Sequence, residues 1–223
     1  MLTLKEGLKT GSFFSNFSHL IKTPMIKYMS CLFILLLFLQ SASAQKKTYK
    51  DSIVAYQKNY VDTHEVVLKN DRKYLSFYPS DTSYRVVASF KRIIDTTGFD
   101  INTSSGMKKK HFKYGLLTFK IHDYLVHLFV YQSEVLMQQE KLKNYLFVPF
   151  GDATSGFESY GGGRYMEFFI PDIKNNKVVL DFNKAYNPYC AYTTGYNCPI
   201  PPMENLLKVA VAAGEKNYGK PVH

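Results

Sequence analysis

The 223 residues contain no tryptophan, only three cysteines, and fewer acidic than basic side chains, 18 against 28. The longest apolar run, CLFILLLFLQ at residues 31–40, is about half the ~20 residues that a membrane-spanning helix needs. Three cysteines cannot make a four-thiolate zinc centre, and no further ligands stand near Cys190 and Cys198 in the sequence. No G-x-S-x-G elbow is present. No period of 20–50 residues repeats, and no low-complexity linker marks a domain boundary. Without tryptophan, any aromatic platform must be built from the 18 tyrosines and 17 phenylalanines. Tyrosine is also a good strand residue with an apolar body, so core and sheet packing is the first use to expect of it.

What the N-terminal region does contain is a cation, Lys27, then the apolar run, then Ala42-Ser43-Ala44. That is the pattern of a secretory signal peptide with its small-residue cleavage site. Residues 25–44 are read as that peptide, cut between Ala44 and Gln45, and residues 1–24 as an upstream extension or a long n-region. Cys31 precedes the apolar core rather than standing at the cut, which argues against lipidation. The expected location is periplasmic or extracellular, with no stable membrane anchor after cleavage. Removing residues 1–44 takes away four lysines and one glutamate, leaving 24 basic and 17 acidic residues, a net of +7 over 179 residues. That length suits a single domain, 45–223, with one core. Two cysteines remain, and an even pair in an oxidising compartment reads as a disulfide, Cys190 with Cys198. Export, and the lack of a basic face interleaved with aromatics, argue against nucleic acid as a partner.

Within 45–223, residues 45–70 are read as a helical segment. Tyr49, Ile53, Tyr56, Tyr60, His64 and Val67 recur at the three-and-four spacing of one helix face. His64 lies in that stripe and is read as a packed histidine; Leu68 stands where a zinc-protease helix would carry its second histidine. Residues 71–182 are β-rich. Tyr84, Val86, Ala88 and Phe90 alternate with other residues. The runs 112–121 and 124–131 flank His122-Asp123 as a hairpin, and residues 145–149 read as a short strand. The runs 164–170 and 178–182 flank a turn at Asn175-Asn176. Residues 183–205 form a loop rich in Pro, Tyr and Cys, and 206–223 a final strand and tail. The fold class is therefore α+β, mainly antiparallel β: a curled or barrel-like sheet with an N-terminal amphipathic helix packed on it.

Several motifs invite chemistry. Gly161-Gly162-Gly163-Arg164 is followed by a strand-like run rather than a helix, so a turn entering an edge strand is preferred to a phosphate loop. In the 151–156 loop, Asp152 and Thr154 are placed to bond local backbone. His122 and His127 are an odd number of residues apart in a strand, on opposite faces, and cannot share a metal there. Lys108-Lys109-Lys110 reads as a solvated loop, with contact to an anionic lipid or polysaccharide as the functional alternative. No cofactor and no metal is expected.

The segments "LDFNKAYNPYCAY", "CPIPPMENLLKVAVAAGEKNY" and "FGDATSGFESYGGGRYMEF" resemble the bacterial family catalogued as domain of unknown function 1684. Its members carry runs close to D-F-N-x-A-Y-N-P-x-C, C-P-x-P-P-x-E-N and A-G-E-K. Ile200 and Met203 depart from the pattern without touching a polar group. The resemblance covers 145–218 specifically, and it implies neither an activity nor catalytic residues.

Pro188, Pro199, Pro201 and Pro202 fix φ and stiffen the 183–205 loop. Around that frame stand Arg164, Asp181, Asn183, Asn187, Glu204 and Asn205, the candidate ligand-binding residues. They can surround a small polar ligand, or satisfy orphan backbone groups and pair with each other. A site, if present, is expected where the 183–205 loop meets the 151–164 loop, with Arg164 and Asp181 approaching across the base of a 164–182 hairpin. Two functions fit. One is a non-enzymatic exported domain that binds a small polar ligand, a glycan or an envelope partner. The other is a hydrolase-type enzyme using Glu204 or Asp181 with Arg164.

Overall fold

The computed structural model describes residues 49–220; the expected signal peptide, its expected cleavage site and residues 1–24 lie outside them. Helix α1 spans residues 49–63. Seven strands follow: β1 (Arg85–Arg92), β2 (Phe99–Asn102), β3 (Lys108–Ile121), β4 (Tyr124–Ser133), β5 (Tyr145–Phe150), β6 (Arg164–Phe169) and β7 (Lys177–Asp181), with a one-turn helix α2 (Glu134–Met137) between β4 and β5. They form one curled, half-barrel sheet in the order β6-β5-β4-β3-β1-β7, with β2 on β3, and every pairing is antiparallel.

Period-two alternation selects the inner face. Leu117, Phe119 and Ile121 of β3, Val126, Leu128 and Val130 of β4, Leu146, Val148 and Phe150 of β5, and Met166 and Phe168 of β6 are all buried in one cluster. Each contributes about 1.5–3 kcal/mol by leaving water. The β3–β4 hairpin turns at His122-Asp123 with His122 in the left-handed region at φ 51°. A register shift between Lys113 and Gly115 bends it. Gly115 has to be glycine because a Cβ there would stand 2.3 Å from the Phe90 ring.

Three expected elements differ. The 164–182 segment is not a hairpin: β6 pairs with β5 and β7 with β1, at opposite ends of the sheet. The tight turn at Asn175-Asn176 exists, with both residues left-handed, but it closes only Lys174 onto Lys177. Upstream of it, Pro171 sits in a 3-10 turn (Ile170–Asp172) and removes the donor a continuing ladder would need. Residues 206–212 form no strand. The carbonyls of Val211, Ala213 and Glu215 accept from the Arg164 side chain instead of a neighbouring strand. Lys108-Lys109-Lys110 opens β3 rather than lying in a loop.

Helix α1 carries the expected stripe from Tyr49 to Tyr60, with Ile53 fully buried, but it ends at residue 63, so His64 and Val67 of that stripe lie beyond it. Its tyrosines reach the end of β7 and the segment after it: Tyr49 donates to Asp181 Oδ1 at 2.9 Å and Tyr60 to Glu215 Oε2 at 3.0 Å. His64, just past the helix, is buried and accepts the Val67 amide on Nδ1, a packed role. A second apolar cluster of Val67, Leu75, Ala191 and Tyr192 lies beneath it.

Candidate functional site

The four prolines of the C-terminal loop leave short 3-10 turns at Tyr189–Ala191 and Met203–Asn205. Cys190 and Cys198 form a disulfide. Ser104, after β2, stitches the loop down: its amide donates to the Cys198 carbonyl at 2.9 Å, and its Oγ accepts the Cys198 amide at 3.1 Å. Ile200 N–H donates to the Asn102 carbonyl at 2.8 Å. The loop is thereby held over the sheet face opposite the inner core, where Tyr145, Phe147 and Tyr165 point.

Between that loop and the sheet lies a cleft of about 950 Å³. Its floor includes Tyr145, Phe147, Tyr165 and Tyr186; one wall carries Tyr189 and Gly195–Cys198, the other Lys108–His111 and Glu134–Leu136. The rings form a connected layer: His111 with Phe147, Phe147 with Tyr165 at 4.7 Å, and Tyr165 with Tyr186 at 5.9 Å. The floor hydroxyls are committed. Tyr145 and Tyr186 both donate to Glu167 Oε2, at 2.5 and 2.8 Å, and Tyr165 to the Pro199 carbonyl at 2.5 Å. Burial raises the Tyr145 and Tyr165 phenols far above the ordinary value, and at Tyr145 the neighbouring charge of Glu167 adds to it. They remain protonated donors. The floor thus offers ring faces and edges rather than acids or bases.

Other groups on the cleft are not committed. Asn187 is buried; its Nδ2 donates to the Lys216 carbonyl at 2.8 Å, which fixes the amide, and its Oδ1 has no partner among the described residues. His111 is buried, and burial lowers its pKa. A neutral His111 that donates from Nδ1 to the Lys109 carbonyl, 2.8 Å away, keeps Nε2 as an acceptor. Lys110 pairs with Glu134 at 3.3 Å, while Lys108 and Lys109 hold no ion pair among the described residues.

Behind Asn187 stands Glu215, fully buried. It accepts Tyr60, Tyr192 and the Asn187 amide. Burial raises its pKa from 4.5 to about 7, against the lowering effect of those donors. Glu215 belongs to the A-G-E-K run, and nothing in its spacing marks it as buried.

The six candidate residues have separate partners. Arg164 is fully buried; it donates to Asp152 Oδ2 at 2.7 Å and to three carbonyls of the 211–215 segment. Asp152 in turn accepts Thr154 and the Val211 amide, so the local bonding expected of Asp152 and Thr154 is present and extended. At Gly163, at φ 81°, a Cβ would stand 2.7 Å from the Phe150 carbonyl, so close packing accounts for that glycine. Asp181 accepts Tyr49 and the Asn183 amide, and Asn183 bridges Asp81 to Tyr49. Asn205 accepts from the Phe129 amide and donates to the Phe129 and Pro149 carbonyls, tying β4 to β5. Glu204 accepts Tyr131 and pairs with Lys113 at 2.8 Å. Of the six, only Asn187 lines the large cleft; Asp181 lines a smaller cavity of about 620 Å³ at the open seam between β6 and β7. The 151–164 loop borders neither cavity. Among the described residues no group of three His, Cys, Asp or Glu is placed to hold a metal.

The cleft residues outside the six carried one legible signal. Lys109 and His111 alternate at the head of an apolar run, the period of one sheet face. The tyrosines carried none beyond composition.

The model of the family described as "Protein of unknown function (DUF1684)" matches residues 71–216. Among solved structures, the chain is similar to an uncharacterized protein of Haloarcula marismortui determined by solution NMR. The two are 31% identical with a TM-score of 0.56, and the match covers 80% of this chain and 95% of that one. No curated protein matches.

Proposed function

The chain belongs to the DUF1684 family, and from that premise and the cleft's geometry we propose that it is an exported binding domain whose cleft beneath the disulfide loop holds a small polar ligand or glycan. The single observation that carries this is the cleft itself: about 950 Å³ floored by rings whose hydroxyls are already bonded. Such a floor suits stacking against a ligand's C–H face. Binding by a loop pinned to a sheet loses little to ordering. The hydrolase reading needs Arg164 beside Glu204 or Asp181 on open ground, and their separate partners speak against it. Export is supported by the disulfide, which persists in oxidising compartments, and by the leader-like sequence of residues 25–44.

The test is a thermal-shift screen of residues 45–223 against sugars, phosphorylated metabolites and metals. A ligand at 100 times its Kd stabilises by about 2.7 kcal/mol. Tyr196 is 40% exposed on the cleft wall, so Tyr196→Ala leaves folding intact and is expected to abolish the shift. A ligand that stabilises wild type and Tyr196→Ala equally binds elsewhere and overturns the reading.

A further inference from the structure

The groups that the cleft leaves unspent define a ligand more narrowly than its volume does. Asn187 Oδ1 is a buried acceptor with no protein donor among the described residues, and a His111 that donates from Nδ1 keeps Nε2 as a second acceptor. An acceptor left buried without a donor costs free energy, so a ligand hydroxyl arriving there is favoured. Tyr189 and Tyr196 pack edge to face at 5.1 Å on the wall, the second of them half in solvent. Such rings stack against the C–H face of a sugar. At the mouth, Lys108 and Lys109 are exposed and uncompensated, since Glu134 is taken by Lys110 and Asp100 is the other acid of the lining.

Acceptors, ring faces and two free ammonium groups together call for a molecule with several hydroxyl donors, an apolar face and a negative charge. A flat aromatic anion lacks the hydroxyls, and a neutral sugar leaves the lysines unused. We propose that the cleft takes an acidic saccharide, its hydroxyls donating to Asn187 and His111 and its anionic group pairing with Lys108 and Lys109. The assignment rests on the cleft being the binding site and adds the charge of the ligand. The anionic group can be a carboxylate or a sulfate, which the lysines read alike as point charges.

The experiment is calorimetric titration of residues 45–223 with trigalacturonate, its methyl ester, a sulfated galactose trisaccharide and the desulfated form. In low salt the charged members are expected to bind roughly tenfold more tightly than their neutral counterparts, with a preference that fades as salt screens the lysines. The double variant Lys108→Gln, Lys109→Gln changes two exposed side chains and is expected to erase that preference while keeping the affinity for the neutral members. A preference for trigalacturonate alone, or for the sulfated sugar alone, identifies which anion the site takes. Equal binding of charged and neutral members, or a preference that survives in the double variant, overturns the acidic assignment and leaves the cleft reading standing. Absence of binding to all four overturns the assignment as well, and the thermal-shift screen with Tyr196→Ala then decides the fate of the cleft reading separately.

Discussion

Arg164 donates to Asp152 and to three main-chain carbonyls from a position without solvent contact. Lysine keeps the charge but loses the planar fork, leaving carbonyls unpaired in the core. Arg164→Lys is expected to cost about 3 kcal/mol or more in chemical denaturation; unchanged stability would contradict the clamp. Glu215 gives a pH signature. Its folded pKa of about 7 exceeds the ordinary 4.5, so the folded state holds the proton more tightly than the unfolded chain. The stability this proton confers is complete below pH 4.5, declines as pH rises towards 7, and is gone above it. Glu215→Gln removes the titration. Wild type is therefore expected to lose stability relative to the variant, on the order of 3 kcal/mol, as pH rises through that window; parallel pH profiles would contradict it. At this scale the sequence made Asp152 and Thr154 legible, because their bonds are local. The partners of Arg164 lie 12–51 residues away and those of Glu215 23–155, distances no local pattern encodes.

Elements with a period of their own were readable. The α1 stripe and the β3–β4 hairpin follow from spacing and from a two-residue turn. The 164–182 segment departs from the expected hairpin because a turn signal says where the chain reverses, not which strand each arm joins; Pro171 decouples the two arms. The 206–212 run has strand composition, yet it makes only isolated backbone bonds to Gly151 and Ala153, and at Val211 the Asp152 and Arg164 side chains take over. Among the loops, the disulfide is the element that shapes the cleft wall. The Cys190→Ser, Cys198→Ser double variant is expected to lose roughly 2–3 kcal/mol, the chain-entropy worth of a loop this short, and to bind cleft ligands more weakly. Alkylation of two thiols in untreated, exported wild-type protein would refute the bridge itself.

Across the whole molecule, the curled sheet turns one face to the apolar core and the other to an aromatic layer roofed by the disulfide loop. The half-barrel also leaves β6 and β7 as separate edges, with the smaller cavity between them. Composition foretold a sheet and a stiff loop. It did not foretell which sheet face the loop covers, since that depends on Ser104 and Asn102 receiving it from β2. Export belongs to this scale too: intact mass of secreted protein is expected to begin at Gln45, and a mass that retains residues 25–44 would contradict cleavage. The claim that the cleft is the site is tested most directly by amide-shift mapping of isotope-labelled residues 45–223 during titration with the charged and neutral trisaccharides. The account predicts shifts concentrated at residues 108–111 and 186–198. Shifts confined to the 151–164 loop or to the β6–β7 seam, or no shifts at all, would contradict it.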